Sequence, residues 1–536
     1  MNGNPPKETS LKTQSAWILF AKIVGFGFSF LLPLLVVRFL SKDEVGVYRQ
    51  TFLIIVNASV IFTLGFGMSA YYYLPRETAR RGAVILNTLL FNFVMGGLAC
   101  LLLFLFPMLL GNIFQSDEIT RLAPKIGIVI WLWIFSSFLE TVAVANQELR
   151  MATAFIILAQ FTKTALLVLA VMLFSSVESL IYAAMVQAFL QSVILIIYLS
   201  NRFPRFWTAF DAKFFREQLF YALPFGLSGL MWTLQTDVHN YFVSHHFSPA
   251  EFAIYAIGCF QLPLIGMLGE SVAAVLIPRV SSLQATGDRA EIIRLTMRAA
   301  QKLAFFYFPI YIFLMITAQT FITTLFTRDY AASVPIFLIN LTLLPIWIWV
   351  TDPIVRAYKE LGRYLLLLRL SILPVMTTVL YYGMQHFDMR GMIGIVVVTA
   401  LTEKIIFTAV ILKKLNVRRR DLNGLEIVGK TAAAGLTAGF FTYLFYREFA
   451  GRILLQGADL SQAIFAAPKN GLVDFIAGGL VLAFSALIFV PIYLLCAGFF
   501  GIIEDGEKNK AKEIISRILR RSAIQTSKIA FQTKNE

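Results

Sequence analysis

The sequence predicts an all-α polytopic membrane protein of about fourteen transmembrane helices, built as two parallel six-helix repeats with two extra helices at the C-terminal end. Three observations predict it. The chain is 58% hydrophobic and only 14% charged, against about 25% charged residues in a soluble globular chain. Continuous apolar runs recur along nearly its whole length, and the residues that close the first run are echoed after the seventh.

A helix crosses about 30 Å of hydrocarbon in roughly 20 mainly apolar residues, because a backbone in lipid must satisfy its own hydrogen bonds. Runs of this kind lie at residues 16–40, 52–74, 84–110, 126–144, 152–173, 180–199 and 219–243. The second series lies at 254–277, 303–325, 335–355, 365–382, 392–412, 431–445 and 472–500, of which 431–445 is short for a span. A barrel would need alternating strands of about ten residues, whereas these runs are apolar on every face. The polar segment 1–15 leads into a stretch too long for a signal-peptide core and without a small-residue cleavage site, so the first helix is expected in the mature protein.

Lys and Arg in short loops set orientation. Arg76, Arg80 and Arg81, then Arg202, Arg205, Lys213 and Arg216, then Arg418, Arg419 and Arg420, all fall on the side of the N-terminus. That side is expected inside, and an even number of helices brings the C-terminus there too. The longest polar connections are expected at 278–302 inside and 447–470 outside, and neither can hold a catalytic domain.

The net charge of +15 does not point to nucleic acid, since the basic residues are scattered over many short loops. It reads as topology signal plus affinity for anionic headgroups. After Gly501, Ile514, Ile515, Ile518 and Leu519 share one helical face with Lys512, Arg517, Arg520 and Arg521 around them, which predicts a basic amphipathic tail on the inner membrane surface. Cys100, Cys259 and Cys496 sit in separate apolar runs and spell neither a disulfide framework nor a zinc site. The chain carries no Walker-type Gly-rich loop and no cluster of His, Asp and Glu at catalytic spacing. An enzyme, a metal and a resident cofactor are therefore not expected.

The repeat is local and specific. Phe39-Leu-Ser-Lys-Asp-Glu-Val-Gly-Val-Tyr48 matches His246-Phe-Ser-Pro-Ala-Glu-Phe-Ala-Ile-Tyr255 in its Ser, Glu and Tyr spacing. Ala70-Tyr-Tyr-Tyr-Leu-Pro-Arg76 then matches Ala273-Ala-Val-Leu-Ile-Pro-Arg279. The offsets, 207 and 203 residues, differ by about one helical turn. Six helices per repeat is an even number, so both halves enter the membrane the same way and relate by an axis along its normal, with a path for substrate between them. The organisation expected is an N-terminal cytoplasmic segment at 1–15, an N-lobe at 16–215, a C-lobe at 216–415, appended helices at 416–500 and the basic tail at 501–536.

These same residues carry a resemblance. The stretch from Arg38 to Arg76, with F-L-S-K-D-E-V-G-V-Y and L-G-F-G-M-S-A-Y-Y-Y-L-P-R, resembles the opening of the polysaccharide (O-antigen, Wzx-type) flippases of the MATE-like exporter superfamily. The Asp-containing stretch from Leu234 to Tyr255 is similar to that family's seventh helix and its exit loop, and Phe305 to Asn340 to its ninth and tenth helices. Ala253 stands where the first repeat has Gly46, and the last 120 residues have no clear counterpart. Membership implies two six-helix lobes around a central cavity, alternating access, and transfer of undecaprenyl-pyrophosphate-linked glycan across a bacterial inner membrane. It also implies a lipid-linked oligosaccharide as partner, with polysaccharide polymerase and assembly proteins alongside. A cationic-drug exporter and a lipid II flippase of the same superfamily are the alternatives, and a membrane glycan polymerase or ligase is a third.

Ionisable groups inside a membrane helix cost about 2.5 to 3.5 kcal/mol each on insertion scales, so they face a cavity or pair with one another. Lys22, Lys163 and Arg369 are the cationic candidates for a pyrophosphate-binding cavity, with Lys404 weighted lower; snorkelling to headgroups is the plain alternative for Lys22 and Arg369. In the seventh helix Ser228, Trp232, Gln235 and His239 share one face, and Thr233, Asp237 and Asn240 share another. One face is expected to meet sugar and the other to pack, and the sequence leaves open which. Asp237, Glu270 and Glu403 are candidates either for a coupling proton or sodium ion or for structural partners of a cation. Helices one, two, seven and eight, by the resemblance, would surround the cavity. Pro33, Pro224, Pro263 and Pro374 are candidate hinges.

Overall fold

The computed structural model describes residues 11–464 and 470–503, with backbone alone at residues 11–22, 26, 464 and 470. The N-terminal segment before residue 11 and the predicted amphipathic face from Lys512 to Arg521 lie outside the described residues. Among the described residues the chain is helical and has no strand.

The first half comprises α1 (Leu11–Phe39), α2 (Lys42–Thr63), α3 (Met68–Tyr73), α4 (Arg81–Leu105), α5 (Met108–Phe114), α6 (Asp117–Ser136), α7 (Phe138–Ala145), α8 (Leu149–Phe174) and α9 (Val177–Arg202). The second half comprises α10 (Ala212–His246), α11 (Pro249–Gly258), α12 (Pro263–Thr286), α13 (Arg289–Phe326), α14 (Val334–Leu341), α15 (Asp352–Ala357), α16 (Lys359–His386) and α17 (Met389–Lys414). Then come α18 (Leu425–Ile464) and α19 (Asn470–Phe499).

Among the described residues, eleven helical stretches are long and apolar enough to cross a membrane, where the sequence led us to expect about fourteen in the whole chain. The long helices α10 and α18 are not among them. Each has a polar stretch inside it: Gln235, Asp237, His239 and Asn240 in α10, and Arg447, Glu448, Arg452 and Asp459 in α18.

The Ser, Glu and Tyr echo has a structural cause. Ser41 and Ser248 are N-caps of α2 and α11, and each forms a capping box with the Glu three residues on. The Glu44 amide donates to Ser41 Oγ at 3.3 Å and the Ser41 amide to Glu44 Oε2 at 2.9 Å; Ser248 and Glu251 repeat both distances. Ser41→Ala and Ser248→Ala should therefore each cost about 1 kcal/mol, read as a melting temperature lowered by about 1 to 2 °C in detergent. A neutral result at either site would remove that cap from the account. The two caps meet face to face, since a Cβ on Gly46 would collide with the carbonyl of Pro249. That contact explains why the first repeat keeps Gly where the second has Ala253.

The expected span at 52–74 bends between α2 and α3 at Leu64 and Gly65, both at positive φ, and two further expected spans divide at proline. The run at 254–277 divides into α11 and α12 because Pro263 starts a new helix and holds Leu262 extended, at φ −77° and ψ 110°. The run at 335–355 divides into α14, a 3-10 turn and α15, with Pro345 and Pro353 at the starts of the latter two. Conversely, the expected polar connections at 278–302 and 447–470 are largely helix. Gly287, at φ +76°, ends α12 and Asp288 caps α13, so only two residues separate them. Helix α18 continues to Ile464, which also makes the expected short thirteenth span a 40-residue helix. Hydropathy marks the part of a helix that suits hydrocarbon, not where the helix ends.

The helices pack as two groups joined along α10 and at the α2–α11 contact. One apolar core passes through both, joining Leu32 and Ile55 to Ile257 and Phe326. Helices α18 and α19 pack on each other and on α13 through small residues that admit close approach: Gly435 and Gly439 face Ile312, and Gly478 faces Thr324.

Candidate functional site

Helix α10 has two polar faces with different neighbours. On one, Gln218 accepts from Asn87 at 2.8 Å and donates to Ser69 at 3.2 Å, Tyr241 accepts from Asn57 at 2.9 Å, and Ser244 accepts from Gln50 at 2.6 Å. All four partners belong to the first half, so this face is the seam between the groups. Asp237 lies on it, against Asn57 and Tyr241. The other face, Ser228, Trp232, Gln235 and His239, lines a cavity of about 910 Å³. The two readings of α10 left open by the sequence are thereby separated.

The cavity exists because the spans are broken. The unwound stretch Cys259 to Leu262 and the turns between α14 and α15 line it together with α10, α16 and α17. Non-helical backbone at membrane depth is tolerated where it lines such a space. The residues lining it run from Ser228 to Phe407, all in the second half; of the four helices that the resemblance implied, the seventh and eighth contribute to this cavity and the first and second do not.

Arg369 and Glu403, 34 residues apart, meet across the α16–α17 pair at 3.1 Å. Gln235 donates its amide to the second carboxylate oxygen of Glu403. The Arg369 guanidinium stands 4.8 Å from the centre of the Trp232 ring, a cation–π geometry. Lys404, about 100° round the helix from Glu403, donates to Thr351 Oγ1 at 3.3 Å. His239 is buried with Nδ1 2.8 Å from the Tyr255 hydroxyl, so it is held as part of the wall. Glu270 lines the cavity, and no cation pairs with it among the described residues. Chemically the arrangement offers cations, an indole face, amides and hydroxyls inside a membrane: contacts suited to phosphate and to sugar.

The other candidates lie elsewhere. Lys163 sits in the first half with its ammonium 4.3 Å from the Trp133 ring, and Trp133 donates to Gln187 at 3.1 Å. The side chain of Lys22 lies outside the described residues. Sequence reasoning missed Thr351, Asp352 and Arg356, which also line the cavity. Their signal was present, because Thr-Asp-Pro is an unlikely ending for an uninterrupted apolar helix.

The sequence matches the family described as polysaccharide biosynthesis protein over residues 35–335. No curated protein matches it. Among solved structures, the fold is similar to the lipid II flippase MurJ in an inward closed conformation, with a TM-score of 0.66 at 15% identity, covering 91% of this chain and 98% of that one. It is similar also to a multidrug resistance MATE family transporter of the MOP superfamily. The inward-facing form gives a TM-score of 0.54 at 14% identity over 73% of this chain and 94% of that one. The outward-facing form gives 0.52 at 16% identity over 76% and 96%.

Proposed function

Because the chain belongs to the polysaccharide biosynthesis protein family, we propose that it flips undecaprenyl-pyrophosphate-linked oligosaccharide units from the cytoplasmic to the outer face of a bacterial inner membrane by alternating access, for surface polysaccharide assembly. The observation that carries this reading is the intramembrane cavity that places Arg369 and Lys404 beside Trp232, Gln235 and Asn340. A pyrophosphate meets a steep barrier in hydrocarbon, and a cavity cation lowers it. A guanidinium forks onto phosphate oxygens, an indole stacks on a pyranose ring, and amides exchange hydrogen bonds with hydroxyls.

In this reading the two helix groups are the lobes at 16–215 and 216–415, the basic loops face the cytoplasm with both termini, and a proton or sodium ion drives the cycle. Asp237, placed against the seam, and Glu270, placed in the cavity, are the acidic sites such an ion would use. Lys163, beside Trp133, is a second cation for the passing headgroup. The cationic-drug exporter reading calls for a cavity with an acidic excess, whereas here three cations face three carboxylates.

The test is deletion of the gene in its host, with polyprenyl-linked glycans analysed by mass spectrometry and surface polysaccharide measured in parallel. The expected result is accumulated inside-facing lipid-linked units with surface glycan lost. Unchanged glycans together with new drug sensitivity would overturn the proposal in favour of the exporter.

A further inference from the structure

The cavity is electrically balanced while it holds no substrate. Its cations are Arg356, Arg369 and Lys404, and its carboxylates are Glu270, Asp352 and Glu403. Asp352 holds Arg356 at 2.8 Å in an exposed pair at the cavity's edge. Glu403 holds Arg369 at 3.1 Å in a shielded one, with side chains 14% and 20% exposed. Any anion that comes to Arg369 therefore finds a carboxylate already there.

We propose that Glu403 is an internal stand-in for the substrate's phosphate, a positioning residue that neutralises Arg369 in the empty cavity and gives way when an anionic headgroup binds. The inference rests on the reading above and adds to it the control of the same site. A carrier must also make its return step empty. A guanidinium left alone at membrane depth is costly, and removing one partner of a buried pair is costlier than keeping both. With Glu403 in place, Arg369 has an anionic partner in both legs of the cycle. Three placements fit this role. Gln235 holds the far carboxylate oxygen, so Glu403 has somewhere to remain when Arg369 leaves it. Lys404 is bound to the Thr351 hydroxyl rather than to Glu403, and its charge stands close enough to act on the freed carboxylate. The Trp232 ring keeps the guanidinium in position while its carboxylate partner is exchanged for phosphate.

The experiment uses the full chain in lipid nanodiscs and geranyl pyrophosphate as a soluble prenyl pyrophosphate, titrated at fixed salt and followed by calorimetry and tryptophan fluorescence. Removing the competing charge in Glu403→Gln should tighten binding by about ten-fold, and Arg369→Ala should weaken it by at least as much. A gain in affinity on loss of a residue is something a purely structural role does not produce. Glu403→Ala makes the same comparison should the glutamine variant not fold. If the wild type binds the probe through Arg369 and neither Glu403 variant binds it more tightly, the stand-in role is overturned and the flippase reading stands. If wild type and Glu403 variants bind no better than Arg369→Ala, both are overturned.

Discussion

Arg369→Ala should abolish most glycan export while leaving the protein in the membrane. A hydrogen-bonded charge contact of the kind a guanidinium makes with phosphate contributes about 1.5 to 3 kcal/mol, and each 1.4 kcal/mol is about a factor of ten, so a loss of about 10- to 100-fold is expected. The substitution also strands Glu403, and this second effect must be separated from the first. Glu403 is 14% exposed and keeps its bond from Gln235, so the stranded carboxylate is partly relieved by water. The double variant Arg369→Ala with Glu403→Gln removes both charges and should recover any lost stability without recovering export. Arg369→Lys should recover only part of the export, since an ammonium keeps the charge and loses the fork. The readouts are surface polysaccharide and inside-facing lipid-linked glycan at matched protein level. Normal export by Arg369→Ala would take the cation out of the transport path.

Gly226→Val should prevent the fold from assembling. Gly226 of α10 lies against the bend between α2 and α3, where a Cβ would run into the carbonyl of Leu64. Across the contact, Gly65 holds φ +66°, and a Cβ there would stand 2.8 Å from the Gly226 Cα. Both surfaces are backbone, so neither can move aside as a side chain would. Overpacking ordinarily costs about 1 to 3 kcal/mol, and a clash between two backbones belongs at or above the top of that range. The expected result is loss of folded protein from the membrane fraction, or a melting temperature too low to measure. A variant that melts like the wild type would show that α10 does not pack where we place it.

Much of this architecture was legible in the sequence, for identifiable reasons. Hydrophobic runs reported helices because lipid leaves the backbone few alternatives. The Ser and Glu spacing reported the repeat because a capping box is local, set within four residues. The two faces of α10 were legible because helical periodicity assigns Gln235 and Asp237 to different sides. Which face met the cavity was not, since that depends on Asn57 and Tyr241 approaching from residues far apart in the chain. The breaks at proline were missed because Pro263 was weighed as a hinge within a helix rather than as the start of a new one, and Pro345 and Pro353 were not weighed at all. The pairing of Arg369 with Glu403 follows from how α16 and α17 lie together, which no spacing in the sequence encodes. For the same reason the partners of Lys163 and Arg369 were not legible: one stacks on Trp133 in the first half and the other meets a carboxylate in the second.

The placement of α10 bears on whether the chain can be divided. By sequence order α10 opens the second half, yet its Gln218, Tyr241 and Ser244 accept from the side-chain NH2 groups of Asn87, Asn57 and Gln50 in the first half. A cut between the halves would leave those amides uncovered on one fragment and put their acceptor oxygens, two hydroxyls and the Gln218 carbonyl, on the other. The two halves are therefore not separable modules: each carries a surface that the other completes, so a split chain would have to bring its two parts together before either was fully bonded.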